Sequence, residues 1–547
     1  MRKPLAAALI LSLAVTAGCT ASRPGAAPAG GFRILQINDT YKIEGLENGR
    51  IGGLARLRTL RKRLEAQGQP VLVLHAGDLL FPSVMSKYLK GGPMVKMLNL
   101  LDGDAAGFDS NLLVALGNHE FDDKDPGVLL GRMAQSDFHW LASNVRYRTS
   151  VEAPGEAFGQ RVERVKDGVV RDLNGIKVGL FSLTLDVTQP EYAVYRYRPE
   201  AERRALVEES IANLRRQGAQ VIIALTHQDL DDDIWLAREF PAIHLIAGGH
   251  EHFHIQQRVG NTWITKADAD IRSAMVHEVN VAADGAVSVA PRRVELGDDV
   301  APDPSLSDAV QAQLDELVKS VRKAGGEDLT REVGRTAYLL EGEETSVRGR
   351  ETALGNFLAD VIRQRMGTDI AWVNGGSIRI NDNIPPGPIT NYHVAGIFYY
   401  DNDLVAMELT GAQILDVLRN SVSKVHRGDG RFLHVSGLRF RYHADGAEPP
   451  SYRIEAEDVA VSGKGGKTYA PLQPGKTYRV ATSEFLWARG VEDGYALFAA
   501  GKGGTSPRRI DSGKAVSQRQ AFLDAVARLP NRTVTSQVEG RIVRVDK

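Results

Sequence analysis

Five apolar runs in this sequence end in side chains that bind cations or move protons. "FRILQIND" ends at Asp39, "VLVLHAGD" ends at Asp78, and "LLVALGNHE" carries Asn118 and His119. "VIIALTHQD" then delivers His227, and "IHLIAGGHEH" delivers His250 and His252. Carboxylate oxygens, an amide oxygen and imidazole nitrogens suit divalent ions such as Mn, Zn, Fe or Co. The one cysteine of the chain, Cys19, stands near the amino terminus and does not compete as a ligand or nucleophile. Taken singly, each residue has a plain explanation, because an Asp at a strand end satisfies turn amides and a histidine can simply pack. His75, His139, His244 and His277 read that way. The set converges if its runs are strands of an open α/β sheet, whose ligand crevice lies beyond the carboxyl ends. Asp122 follows His119 by three residues, so a single helical turn would bring its carboxylate under the imidazole and fix the tautomer.

The elements that must position these residues are legible in the apolar pattern. The runs alternate with helical stretches, as in a layered α/β domain. In "GLARLRTLRKRLEAQG" the residues Leu54, Leu57, Leu60 and Leu64 share one face, and Gly68 stops the helix. Further on, the acidic, Pro-containing "LGDDVAPDPS" leads into "SLSDAVQAQLDELVKSVRKAGG". Leu306, Val310, Leu314, Leu317 and Val321 form a stripe there, with Ser305 placed to cap the start and Gly325-Gly326 to end it. This predicts a connecting helix within residues 299–325. A length of 547 residues exceeds one ordinary core, so the sequence divides into a first domain over 32–298 and a second over 326–547. Lys plus Arg total 67 against 68 for Asp plus Glu, a net charge of -1, which implies no overall attraction to nucleic acid or to an acidic membrane.

Residues 1–18 have the basic start, apolar run and small residues of an export signal. "TAGC", residues 16–19, resembles a bacterial lipobox, with Thr16 where Leu is commoner, and this implies a lipid on Cys19. Residues 19–31 read as a flexible tether with a reach on the order of 20 Å. Thr20 after the Cys, instead of Asp, favours the outer membrane over the inner by resemblance to other bacterial lipoproteins. The expected location is the periplasmic face or the cell surface. With one cysteine, no internal disulfide is possible.

The ordered series D-x-x, G-D-x-x, G-N-H-E, T-H and G-H-x-H resembles the calcineurin-like metallophosphoesterases. "VNGGSIR", residues 373–379, resembles the Asn-Gly-Gly-x-Ile-Arg signature of the bacterial 5'-nucleotidase family. The resemblance implies a layered α/β metallophosphoesterase β-sandwich flanked by helices, followed by a second α/β substrate-binding domain. It implies two divalent ions: Asp78 bridging, Asn118, His227 and His250 on one ion, Asp39 and His252 on the other. His119 resembles the family's catalytic histidine, with Asp122 as its partner. Asn374 and Arg379 are implied in substrate binding, and "GRFLHVSGLRF" and "VEDGYALF" point to Phe432 and Tyr495 as an aromatic clamp on a nucleobase. Three departures stand out. Tyr41 replaces the usual His of the first motif, Val491-Glu492-Asp493-Gly494 replaces Gly-Gly-Asp-Gly, and "IFYYDND" replaces a run containing Pro-Phe. Tyr41 could ligate as a phenolate, leave room for water, or pack over the site.

The implied function is an exported, lipid-anchored phosphohydrolase that releases phosphate from nucleoside monophosphates. Two other readings remain open: a phosphatase for another small ester such as a sugar phosphate or a cyclic nucleotide, and a binding lipoprotein without turnover. Neither a nucleic-acid partner nor an obligate protein partner is expected.

Overall fold

The computed structural model describes residues 28–546 except 105, 151–152, 154, 186–193, 196–199, 448, 464–467, 499–506, 512 and 514. The export segment, the lipobox with Cys19, and the tether up to residue 27 lie outside the described residues. The tether does not extend to residue 31 as the glycines suggest, because a strand already begins at Pro28, and Gly31 pairs with Asn280 in an antiparallel ladder.

Strand Pro28–Ile37 shows how the first domain is layered, because successive side chains of a strand point to opposite faces. Phe32 and Ile34 enter one core, Leu35 and Ile37 another. Leu72 and Leu74 against Val71 and Val73 repeat the division in the next strand. The first core lies between two sheets. One is seven-stranded, in the order Val287–Glu295, Ser273–Ala282, Pro28–Ile37, Val71–His75, Leu112–Ala115, His139–Leu141, Val165–Lys166. The other is six-stranded, in the order Ile255–Val259, Thr262–Lys266, Leu245–Gly248, Val221–His227, Ile176–Thr184, Gly168–Leu173. Helices cover both outer faces. Leu54, Leu57, Leu60 and Leu64 of helix Leu54–Glu65 are buried against the first sheet, as the stripe predicts. Val207, Leu214 and Leu236 cover the second sheet.

The connecting helix spans Pro304–Lys323 and buries Leu306, Val310, Leu317 and Val321 in the first domain's outer core. Its cap is Asp303, whose carboxylate accepts from the Leu306 amide at 3.2 Å, and not Ser305, whose hydroxyl donates to Asp303 at 2.6 Å. Both residue types suit the position, and the one outside the Pro304 turn has the free geometry.

In the second domain a five-stranded sheet runs Leu433–Ser436, Ile370–Asn374, Thr477–Ser483, Leu404–Thr410, Arg508–Arg509. Helix Ala353–Met366 packs on it, closed by Gly367 in the left-handed conformation. The domains meet through Ala395 and Tyr392, which pack against the first domain's outer core, and through polar groups. Lys42 pairs with Asp382 at 3.1 Å, Asn383 donates to Glu47 at 3.1 Å, and Arg272 lies 3.3 Å from Glu343.

Candidate active site

Parallel pairing brings the key strands to one edge in register. Ile37 lies opposite His75, and His75 opposite Val114. In the second sheet Thr226 lies opposite Gly248. The loops that follow are stitched together: the Asp39 amide donates to Gly77 O at 3.0 Å and the Thr40 amide to Asp78 O at 2.9 Å. Gly77 has φ +86, and a Cβ there would stand 2.6 Å from His227 Nδ1, so no side chain fits. Asp39, Asp78, His250 and His252 all have positive φ, at 50, 57, 89 and 64. Each such non-glycine residue costs roughly 1–3 kcal/mol, a cost that persists where the surroundings dictate the geometry.

Within this frame Asp39, Asp78 and His227 bring one ligand atom each to within 4.8 Å of one another, all buried. Asp78 stands between two groups. On one side His227 Nε2 is 3.3 Å from Asp78 Oδ2 and 3.1 Å from Asn118 Oδ1, and the His250 ring lies 5.2 Å from that of His227. On the other side His252 Nε2 is 3.1 Å from Asp39 Oδ1. The Tyr41 hydroxyl sits in the middle, 3.0 Å from Asp78 Oδ2, 3.2 Å from Asp39 Oδ1 and 2.9 Å from His252 Nε2. The Tyr41 oxygen thus lies among Asp39, Asp78 and His252.

The charge balance follows from these contacts. Burial by itself would raise the Asp39 carboxyl, but His252, His227 and the His250 amide outweigh it and hold it well below the usual range. Burial also opposes ionisation of Asp78, yet His227 and His119 hold it down to about 2. Burial, then Asp78 and Asp39, push the Tyr41 phenol well above its ordinary value, so it carries its proton. Asp39, Asp78 and His227 bring together oxygen and nitrogen atoms of the right chemistry for a divalent cation, with Asn118 and His252 beside them and His250 Nε2 lying 3.4 Å from Asp229 Oδ1.

His119 occupies a 3-10 turn, His119–Phe121, that sets its Nδ1 2.9 Å from Asp122 Oδ2. Its amide donates to Asp78 Oδ1 at 2.9 Å. Burial lowers the imidazole's affinity for a proton, but Asp78 and Asp122 more than compensate and raise its pKa. The next residue, Glu120, points away from the crevice and accepts the amides of Asp78 (3.0 Å), Leu79 (2.7 Å), Leu80 (3.0 Å) and Gly117. It is a structural residue.

The second domain closes over the crevice. A cavity is lined by Tyr41 and His252 from the first domain and by Glu344, Arg379 and Tyr399 from the second. Arg379 stacks 5.5 Å from the Tyr400 ring and is close enough to His119 to oppose its protonation. Asn374, at the start of the same turn, is buried, accepting from the Ser377 hydroxyl and donating to Gly430 O at 3.4 Å. The expected aromatic clamp is corrected here. Phe432 is fully buried and Tyr495 is 2% exposed, both in the second domain's core, with the Tyr495 hydroxyl donating to Arg431 O. Neither ring presents a face, because a core position and a stacking position ask for the same residue type.

Sequence reasoning misses two groups at this site. Asp270 accepts the Tyr41 and Lys42 amides at 2.8 and 2.9 Å. Glu344 reaches His252 Nδ1 from the other domain. No spacing flags either one, since both lie far along the chain from the residues they contact.

Residues 32–254 match the calcineurin-like phosphoesterase family, and residues 332–500 match the 5'-nucleotidase C-terminal domain. The chain is 29% identical over 554 residues to the trifunctional nucleotide phosphoesterase protein YfkN of Bacillus subtilis, covering 94% of this chain and 35% of that protein. The chain thus spans about a third of that relative. It is 26% identical to the snake venom 5'-nucleotidase of Crotalus adamanteus over 530 residues, 88% of this chain and 85% of that one. Among solved structures, a 5'-nucleotidase precursor from Thermus thermophilus superposes with a TM-score of 0.72 at 26% identity, covering 95% of this chain and 100% of that one.

Proposed function

Because the chain belongs to the 5'-nucleotidase family, a calcineurin-like phosphoesterase domain followed by a 5'-nucleotidase C-terminal domain, and is a metal-dependent phosphoester hydrolase, we propose that it releases phosphate from nucleoside monophosphates. The observation that carries this reading is the shared cavity, where His252 and Tyr41 face Arg379 of the second domain beside His119. Asp39 and His252 would hold one divalent ion and Asn118, His227 and His250 another, with Asp78 between them. Such ions, when bound, lower the pKa of a water and neutralise charge on the phosphoryl group.

The chain's own residues supply the rest. Asp122 holds the His119 Nδ1 proton and so presents Nε2 to the crevice. Asp78 and Asp122 favour the protonated form of His119 against the opposing burial, which suits it to give a proton to the departing ester oxygen. Arg379 offers paired donors to phosphate oxygens. Asn374 supports the loop that carries it. In this reading the protein is exported, anchored by a lipid on Cys19, and works at the periplasmic face of the outer membrane on nucleotides that reach that compartment.

The test is phosphate release from adenosine monophosphate, ribose 5-phosphate, a cyclic nucleotide and a small aryl phosphate, with added Mn and with chelator. The nucleoside monophosphate should give the highest kcat/KM, and chelator should abolish all turnover. His119→Ala should lower kcat by about 10²–10⁴-fold while leaving bound metal unchanged. A higher kcat/KM on the sugar phosphate would move the assignment to the broader phosphatase. Metal binding without turnover of any ester would leave a binding lipoprotein.

A further inference from the structure

The donor set itself is built wholly from the first domain. Glu344 belongs to the second. It opens the short helix Glu344–Val347, and its side chain is 11% exposed against 12% for His252. Its carboxylate accepts from His252 Nδ1, while the other ring nitrogen of His252 lies 2.9 Å from Tyr41 Oη and 3.1 Å from Asp39 Oδ1. The imidazole therefore spans the domain boundary, one nitrogen in the donor set and one on Glu344.

The placement of Glu344 is itself fixed. Its amide donates to Asn381 Oδ1 at 3.0 Å, and Asn381 Nδ2 donates to Asp270 Oδ2 at 2.5 Å. The Arg348 guanidinium lies against the same carboxylate. Asp270 in turn holds the Tyr41 amide. A hydrogen-bonded chain thus runs from the second domain to both motif residues on the Asp39 side. An imidazole whose Nδ1–H is held by a carboxylate is fixed in tautomer and orientation, and its Nε2 becomes a better donor to a cation.

We infer that Glu344 is a positioning residue that completes the Asp39–His252 half of the metal site from the opposite domain. Affinity for that ion then depends on the docked domains, and by reciprocity the ion favours docking. The inference rests on His252 being a ligand, and not on which ester is hydrolysed. It has a competing explanation. Arg348 lies against Glu344, and both Arg348 and Arg379 act on its charge, so its carboxylate could instead stand where a phosphate would bind.

The experiment strips the full-length protein with chelator and measures bound Mn per chain against free Mn by equilibrium dialysis, for wild type, Glu344→Ala and Glu344→Gln. The melting temperature of each is recorded with and without Mn. Loss of an outer hydrogen-bond partner weakens metal binding by about 10–100-fold, so Glu344→Ala should lose that much affinity for one ion and keep the other. Glu344→Gln, which still accepts from Nδ1–H but lacks the charge, should fall between. The rise in melting temperature on adding Mn should shrink in the same order, while the metal-free proteins melt alike. Should the alanine variant melt early without metal, the Gln variant alone decides. Wild-type affinity and stoichiometry in the Gln variant would overturn the inference. So would tighter binding of inorganic phosphate with unchanged Mn affinity, which would make Glu344 an internal anion.

Discussion

The Tyr41 hydroxyl faces three groups, with Asp78 Oδ2 at 3.0 Å and Asp39 Oδ1 at 3.2 Å as its carboxylate acceptors and His252 Nε2 at 2.9 Å. Its pKa is pushed upward, so a cation at this position must drive off the proton before the oxygen can ligate. A histidine would offer a neutral nitrogen with no such demand. Tyr41→His should therefore tighten one ion by about tenfold or more, equivalent to at least about 1.4 kcal/mol. Tyr41→Phe should change the Mn dependence of activity if the hydroxyl takes part. Metal stoichiometry and activity against free Mn check both, and unchanged curves in both variants would remove position 41 from the site. Single residues are legible where local sequence and location coincide. Asp39, Asp78 and His227 each stand at the end of a parallel strand, and the fold brings them together for that reason. Phe432 and Tyr495 mislead, since an aromatic side chain reads the same whether it packs or stacks. Glu344 leaves no local signal, because it acts on a residue of the other domain.

Strands and turns, not individual ligands, set the spacing of the site, and Glu120 shows how. Its carboxylate gathers the amides of the Asp78–Leu80 segment and of Gly117, tying the loops after two neighbouring strands. Burial and Asp78 push this carboxyl up to about 7 even though those amides favour its charge. Glu120→Ala would leave these buried donors unpaired, at about 1–3 kcal/mol each. Stability by urea unfolding should fall by several kcal/mol, and the Mn affinity should fall with it, because Asp78 loses its frame. An unchanged urea midpoint would show that the loops hold without the carboxylate. The elements themselves are legible because period 2 and period 3.6 patterns leave little choice. Helix Leu54–Glu65 and helix Pro304–Lys323 both carry the apolar stripes expected. Their ends are less so. Asp303 and Ser305 are equally suited to a cap, and the glycines at 30 and 31 look flexible although they pair in a sheet.

Across the whole molecule, each domain buries a histidine that the fold keeps neutral. Burial pushes His277 of the first domain down to about 3 and His434 of the second to about 4, where their Nε2–H groups donate to Gln36 Oε1 and Val347 O. Their unfolded values lie near 6.5, so between about 3 or 4 and 6.5 the unfolded chain binds the extra proton. Stability from these groups is complete above about 6.5 and is lost as pH falls through that window. At pH 5 each should cost about 2 kcal/mol relative to pH 7.5. Urea midpoints of metal-free protein at the two pH values should show the loss, with His277→Gln and His434→Gln each flattening it. Identical slopes in both variants would assign acid sensitivity to the carboxylates instead. The helix between the domains carries a last consequence. Its leucine and valine stripe lies in the outer core of the first domain, while Gly325 and Gly326 just past its end are exposed. A chain severed at residue 298 would leave that hydrophobic bed open to water and prone to clump. Severed at the glycine pair, the first half keeps its own roof, and this is where a protease should nick the native protein to yield a soluble fragment.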